Sequence, residues 1–302
     1  MASSRRTITV TIVAAGVLLA AAAGIAKWRD TRAFYQPAEL LARFPAEDAI
    51  ALNLDLATLR AAGLLGVSKA PLEAEYKQFV DNSGFDYRRD LDFVLASFST
   101  SGNYFIARGR FNWARLRAYT AKQGGSCYQD LCRMQGSTAD RRISFLPLRS
   151  DTIALAVSTD DLAATRLTRI GAKVRDPLPA GPVWLTIPGV VLRQPGGLPP
   201  GLRVVFSGLV QADRVVFTAG TSAAGVEVHM DAACKSETDA QVLLSQLQNS
   251  VSLLKEAAAR GHTDTSPLSN VLMGGSFSQT GARVSGKWPL RKDVIDTMTD
   301  GL

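Results

Sequence analysis

The chain has 302 residues, of which 46% are apolar and 20% charged. That composition suits a folded core and excludes a charge-expanded disordered polymer, and the length allows one large domain or two modules of ordinary size. The formal net charge of +7 is concentrated at the start, where Arg5, Arg6, Lys27 and Arg29 flank one apolar run. Beyond them basic and acidic residues nearly balance and alternate, and no basic block is interleaved with aromatics, which argues against a nucleic-acid partner.

The apolar run, residues 7–26, contains no Pro, Asp or Glu. As a helix rising ~1.5 Å per residue it would measure ~30 Å, the thickness of a bilayer's hydrocarbon core. We therefore expect a transmembrane anchor at 7–26 after a cytoplasmic tail at 1–6. Ile8, Ile12, Val13, Val17, Leu18, Leu19 and Ile25 supply its apolar bulk, and Trp28 falls at the headgroup level. A cleaved signal peptide is the competing reading, with Ala21-x-Ala23 as its cleavage site. The basic stop at Lys27, Trp28 and Arg29 favours retention. Gly16, Ala20 and Gly24 make a stripe along which two anchors could approach as a homodimer, although so alanine-rich a run yields that spacing by chance. The short basic tail then places the N-terminus in the cytoplasm and everything from Asp30 outside it, in the periplasm or beyond, with the anchor in the inner (cytoplasmic) membrane.

Residues 27–43 read as a juxtamembrane segment whose amphipathic end (Pro37, Leu40, Leu41, then Phe44) docks on the body. A unit of alternating strand, polar break and helix-period stretch then recurs. It starts at Ala49–Leu56, Tyr104–Phe111, Thr152–Ser158, Gly225–Cys234 and Gly281–Pro289. Asn112 caps the second helix, Thr159 or Asp160 the third, and the longest helix covers Glu237–Arg260. Further strands read at Phe93–Ser99, Ile143–Leu148, Val183–Ile187 and Arg214–Ala219. AIALNLDLATLR and TIALAVSTDDLAATRL look alike, which a duplication explains as well as two instances of strand and capped helix. The prolines Pro177, Pro179 and Pro182 mark a boundary. The expected architecture is α+β: the anchor, a module at 44–176, a linker at 177–182 and a module at 183–302, with mostly antiparallel sheets covered by helices.

Between Gly124 and Gly136 the spacing of Cys127 and Cys132 suits a hairpin turning at Gln129 and Asp130. Tyr128 and Leu131 would close it, and the cysteines would face each other at a non-hydrogen-bonded position ~4.5 Å apart, within disulfide reach. Two free thiols are the alternative; the disulfide implies an oxidising compartment. Cys234 is left over as a small buried residue at a strand end. His229, His262 and Cys234 have no metal-ligand spacing, so no metal is expected.

DNSGFDYRRDLD (81–92) is rich in aspartate, but its glycine is misplaced for a calcium loop and no closing Glu follows. It reads as a helix end capped at Gly84 and a turn into the next strand. With two histidines, no nucleophile elbow and no phosphate or dinucleotide glycine pattern, no catalytic residue and no cofactor are expected. FPAEDAIALNLDLATLR (44–60) and GFDYRRDLDFVLASFS (84–99) resemble segments of uncharacterised single-pass envelope proteins of bacteria, acidobacteria in particular. That resemblance implies a membrane-anchored extracytoplasmic domain and supplies no substrate. The expected function is binding or scaffolding, with the membrane and other envelope proteins as partners. The alternative is a hydrolase-like envelope enzyme using Asp86, Asp90 and Asp92.

Overall fold

The structure is a computed structural model that describes residues 36–45, 48–64, 74–171, 177–194, 208–222, 225–260 and 271–290. The expected anchor, with its dimer stripe, lies outside these residues. Among the described residues no helix is long and apolar enough to cross a membrane.

In chain order the elements are α1 (Pro37–Leu41), β1 (Ile50–Asp55), α2 (Leu56–Ala61), α3 (Ala74–Ser83), α4 (Tyr87–Asp90), β2 (Leu91–Ser99), β3 (Gly102–Gly109) and α5 (Trp113–Lys122). The hairpin β4 (Ser126–Tyr128) and β5 (Leu131–Gln135) follows, then β6 (Arg142–Arg149), β7 (Thr152–Ser158) and a 3-10 helix (Ala163–Thr168). The remainder is β8 (Val183–Pro188), α6 (Gly189–Arg193), β9 (Ala212–Ser222), β10 (Gly225–Cys234), α7 (Glu237–Ala259), β11 (Ser276–Thr280) and β12 (Arg283–Leu290). The caps follow side-chain chemistry. Asp55, Asp86, Asn112 and Ser236 each accept an N–H from the first turn of the helix they precede. The third expected helix is a 3-10 helix instead; Asp160 accepts the Leu162 N–H at 2.9 Å just before it.

The twelve strands among the described residues join one antiparallel sheet in the order β11-β12-β10-β9-β8-β1-β2-β3-β7-β6-β5-β4. The α+β expectation therefore holds in its broad form, as one large antiparallel sheet with helices. The two expected modules share that sheet, because β1 pairs with β2 on one side and with β8 on the other.

The sheet repeats itself. Outward from the seam, β1-β2-β3-β7-β6 and β8-β9-β10-β12-β11 are the same arrangement, and β4 and β5 are an addition to the first half. Across the seam Leu52 stands opposite Leu185, while Ala51–Thr186 and Asn53–Trp184 flank that pair symmetrically. AIALNLDLATLR (49–60) thus matches PVWLTIPGVVLR (182–193) without a gap, sharing Leu52/Leu185, Leu59/Leu192 and Arg60/Arg193. The matching arginines bind matching acids, Arg60 to Asp92 at 3.3 Å and Arg193 to Asp213 at 3.5 Å. Asp92 and Asp213 are the residues skipped where the β2–β3 and β9–β10 registers shift, so one β-bulge occurs twice. The 152–167 segment, which resembles 49–60 to the eye, contains β7, the counterpart of β12 and not of β1.

Strand alternation gives the sheet two faces. On one, the first half packs Phe93, Leu95, Tyr104, Ile106, Leu146, Ala154 and Ala156 beneath Leu40 and Phe44 and the 3-10 helix residues Ala163, Ala164 and Leu167. On the other, the second half buries Ile187, Val215, Met230, Ala232, Val284 and Trp288 beneath α6 and α7 through Leu192, Ala240 and Leu243. A third cluster packs Leu116 of α5 on Cys132, Phe145 and Ile153.

Candidate functional site

The cysteine hairpin forms as the spacing predicts. Tyr128 pairs with Leu131, Cys127 stands directly opposite Cys132, and the two form a disulfide with Cα atoms 4.0 Å apart. Gln129 takes the positive φ of 51° that so tight a turn requires. Cys132 is fully buried under Leu116, so the bridge ties the hairpin to the body of the first half. Cys234 is a free thiol, half-buried, and burial pushes its pKa up.

Of the three acids considered as catalytic groups, Asp86 and Asp90 meet through the Asp86 N–H, and each of the three is committed. Asp90 is buried and receives Arg89 through Nε at 3.0 Å and Nη2 at 2.9 Å. It also receives Arg110 Nε at 3.3 Å and the Asp86 N–H at 3.0 Å. These contacts, the Arg89 guanidinium first, outweigh burial and hold its carboxyl down at about 2, against an ordinary 3.8. Asp86 accepts the Tyr76 hydroxyl at 2.8 Å and the Arg88 N–H at 3.0 Å. Burial and that bond push the Tyr76 hydroxyl well above its ordinary value. Asp92 holds Arg60 at the bulge. A general acid needs a raised pKa and a general base a free lone pair aimed at substrate; Asp90 lacks the first and its partners occupy the second. These carboxylates organise the turn between α3 and β2.

Around that turn lies an open cleft of about 460 Å³, lined by Arg89 and Arg110 with Gly84, Gly109, Asn112 and Asp151. Phe111 in its lining belongs to a chain of ring contacts, Phe79–Phe85 edge-to-face at 6.5 Å, Phe85–Phe111 stacked at 5.0 Å and Phe111–Trp113 tilted at 5.4 Å, and Trp113 donates its ring N–H to the Ser150 carbonyl at 2.8 Å. Gly109 is obligatory, since a Cβ there would collide with the Asp90 carbonyl oxygen.

The second feature is the side of the second half that no described element covers. The face that carries Leu95, Ile106, Ala154 and Leu146 in the first half carries Val216, Asp231, Ser285 and Ser278 at the matching positions of the second. It is polar, and Ser276, Ser278, Ser285, Lys287 and His229 are exposed. His229 meets Glu227 at 3.0 Å, Lys287 meets the same carboxylate at 3.5 Å, and Arg283 meets Asp231 at 2.7 Å. A concavity of about 440 Å³ lies along these side chains, from Thr218 across to Ser278. Alternation along β10 sets His229 on one polar face with Glu227 and Asp231, but a single strand gives no sign that four strands present that face together. Among the described residues no group of three or more His, Cys, Asp or Glu side chains is placed to hold a metal ion.

No family model matches the chain, and no curated protein matches it in sequence. Among solved structures it is similar to crystal forms III, I and IV of a protein named TP0453, at 10%, 11% and 10% identity with TM-scores of 0.49, 0.44 and 0.44. Those likenesses cover 87%, 87% and 86% of this chain and 98%, 97% and 96% of the other.

Proposed function

We propose that the chain is a membrane-anchored, extracytoplasmic protein that acts by binding or scaffolding another envelope component through the open face of its second half. The observation that carries this reading is the difference between matching faces. One repeated sheet surface is apolar and covered by chain in the first half, whereas in the second it is polar, concave and covered by no described element. A surface that pairs cations with anions and presents a row of hydroxyls suits a polar partner with hydrogen-bonding groups along its length. The charge-free run at 7–26 supports the anchor, and the Cys127–Cys132 disulfide supports an oxidising compartment. The resemblance of 44–60 and 84–99 to single-pass envelope proteins points the same way. Asp86, Asp90 and Asp92, each engaged by its neighbours, give the enzyme reading no free acid or base.

The test uses the full chain in its own membrane, with photo-crosslinking residues at Ser278 and Ser285 and a control at Leu253 on α7. The expected result is one product common to the two sheet positions, absent from Leu253 and lost with Lys287→Glu. Turnover in a hydrolase screen, abolished by Asp86→Asn, would overturn the binding reading. Activity of a cytoplasm-only reporter fused after Leu302 would overturn the location.

A further inference from the structure

We propose that the cleft between α4, β3 and α5 in the first half is an anion site that takes a phosphoryl group. Arg89 and Arg110 both clamp the buried Asp90 carboxylate, which holds two guanidinium groups side by side at the cleft wall. Each keeps donors in reserve. Arg89 commits Nε and Nη2 to Asp90, and Arg110 commits Nε to Asp90 and Nη2 to the Arg89 carbonyl, so Nη1 of each has no partner among the described residues. Arg115 lies against Gly84 at the rim, and its guanidinium has no partner among the described residues either. Two planar cations with spare N–H groups line the open volume and a third lies against Gly84 beside it, a set that matches the tetrahedral oxygens of a phosphoryl group. Asp90 is the positioning residue for the first two: being ionised and buried, it removes the rotamer freedom a flexible arginine would lose on binding.

The second half supplies an internal comparison. Its matching helix α7 opens on Glu237 and Asp239, acids that answer the positive end of the helix from within the chain. Helix α5 opens on Trp113, Ala114 and Arg115, with no acid in its first turn and a cation added. Asp90 is already shared by two arginines, and Asp151 is the other carboxylate lining the cleft. The first half thus carries at this point a surplus of positive charge that its counterpart neutralises itself.

The phosphoryl group can belong to soluble phosphate or to an anionic phospholipid headgroup, and one experiment separates them. The full chain in an uncharged detergent is titrated calorimetrically with inorganic phosphate and, separately, with dihexanoyl phosphatidate. Saturable binding is expected, weakened about tenfold by Arg115→Gln, as the loss of one charge-assisted hydrogen bond implies. Arg110→Gln should weaken it similarly, and Arg117→Gln, whose side chain pairs with Asp130 elsewhere on α5, should leave it unchanged. Arg115 has no side-chain partner to abandon among the described residues, so its variant tests the site without breaking a described contact. Binding of the phosphatidate alone assigns the site to a lipid headgroup; binding of both ligands with equal affinity assigns it to free phosphate. No binding of either ligand, or binding that Arg115→Gln and Arg110→Gln leave intact, overturns the proposal.

Discussion

Replacing Asp90 by Asn keeps the shape of the side chain and removes the charge on which two arginines converge. The wild-type carboxyl is held at about 2 against an ordinary 3.8. At ~1.4 kcal/mol per pKa unit that difference sets a ceiling of ~2.5 kcal/mol on the stability the charge contributes. Both arginines are largely in solvent, with side chains 69% and 61% exposed, so screening brings the expected loss to about 1–2 kcal/mol. The pH dependence is the sharper signature. A carboxyl whose folded pKa is depressed contributes in full above its unfolded pKa, and the contribution disappears as pH falls through the folded value. Urea unfolding of wild type and Asp90→Asn should therefore differ by a constant amount from pH 7 down to about 5, and the curves should converge between pH 4 and 2. Carboxylates common to both proteins cancel in the comparison. A gap of the same size at pH 2 and pH 7 would mean that Asp90 acts through packing, and no gap at pH 7 would refute the charge argument outright.

Gly109→Ala should destabilise by about 1–3 kcal/mol, because the added methyl meets the Asp90 backbone and not a side chain that can swing away; a loss no larger than that of Gly220→Ala, which has open space, would contradict the close approach. Leu243→Ala should cost about 2–5 kcal/mol. If the continuous sheet makes the halves one cooperative unit, fluorescence assigned to Trp184, in the first core, and to Trp288, in the second, should report one shared transition; separated midpoints would show that the seam does not couple them. Changing Cys127 and Cys132 together to Ser should cost about 2 kcal/mol, the chain-entropy value for so short a loop. In denatured, unreduced protein only Cys234 should accept an alkylating reagent, and three reactive thiols would contradict the bridge.

Much of the sheet was legible because its signals are local. Val226, Val228 and Met230 alternate with Glu227, His229 and Asp231, and the hairpin at Cys127–Cys132 needs only its turn length. Strand β11 was missed: SFSQT follows two glycines and carries one large apolar residue, Phe277, so its burial depends on Trp288 from the next strand. The repeat was not legible for a different reason. Similar strand-and-helix segments occur throughout the chain, and only pairing shows that 49–60 answers 182–193; three shared residues in twelve cannot. The arginine cleft depends on Arg110 reaching Asp90 across 20 residues of chain, a distance set by the β2–β3 register and its bulge. The aspartates of 81–92 stood out in the sequence, whereas the cations that make the place distinctive lay elsewhere.

The seam has a consequence for how such a chain could have arisen and how it could fail. Strand β1 offers its hydrogen bonds to β8 about a point where Leu52 meets Leu185, the residue matched to it in the other half. A single half cut from the chain would expose that strand as an unprotected edge, with its groups already arranged to pair with a copy of itself in the same antiparallel register. A free half is thus self-complementary: two copies would rebuild the seam as a symmetric dimer, and the tandem chain makes that meeting intramolecular. The same property makes proteolysis near 177–182 hazardous, since each fragment released would be a template for joining its neighbours edge to edge.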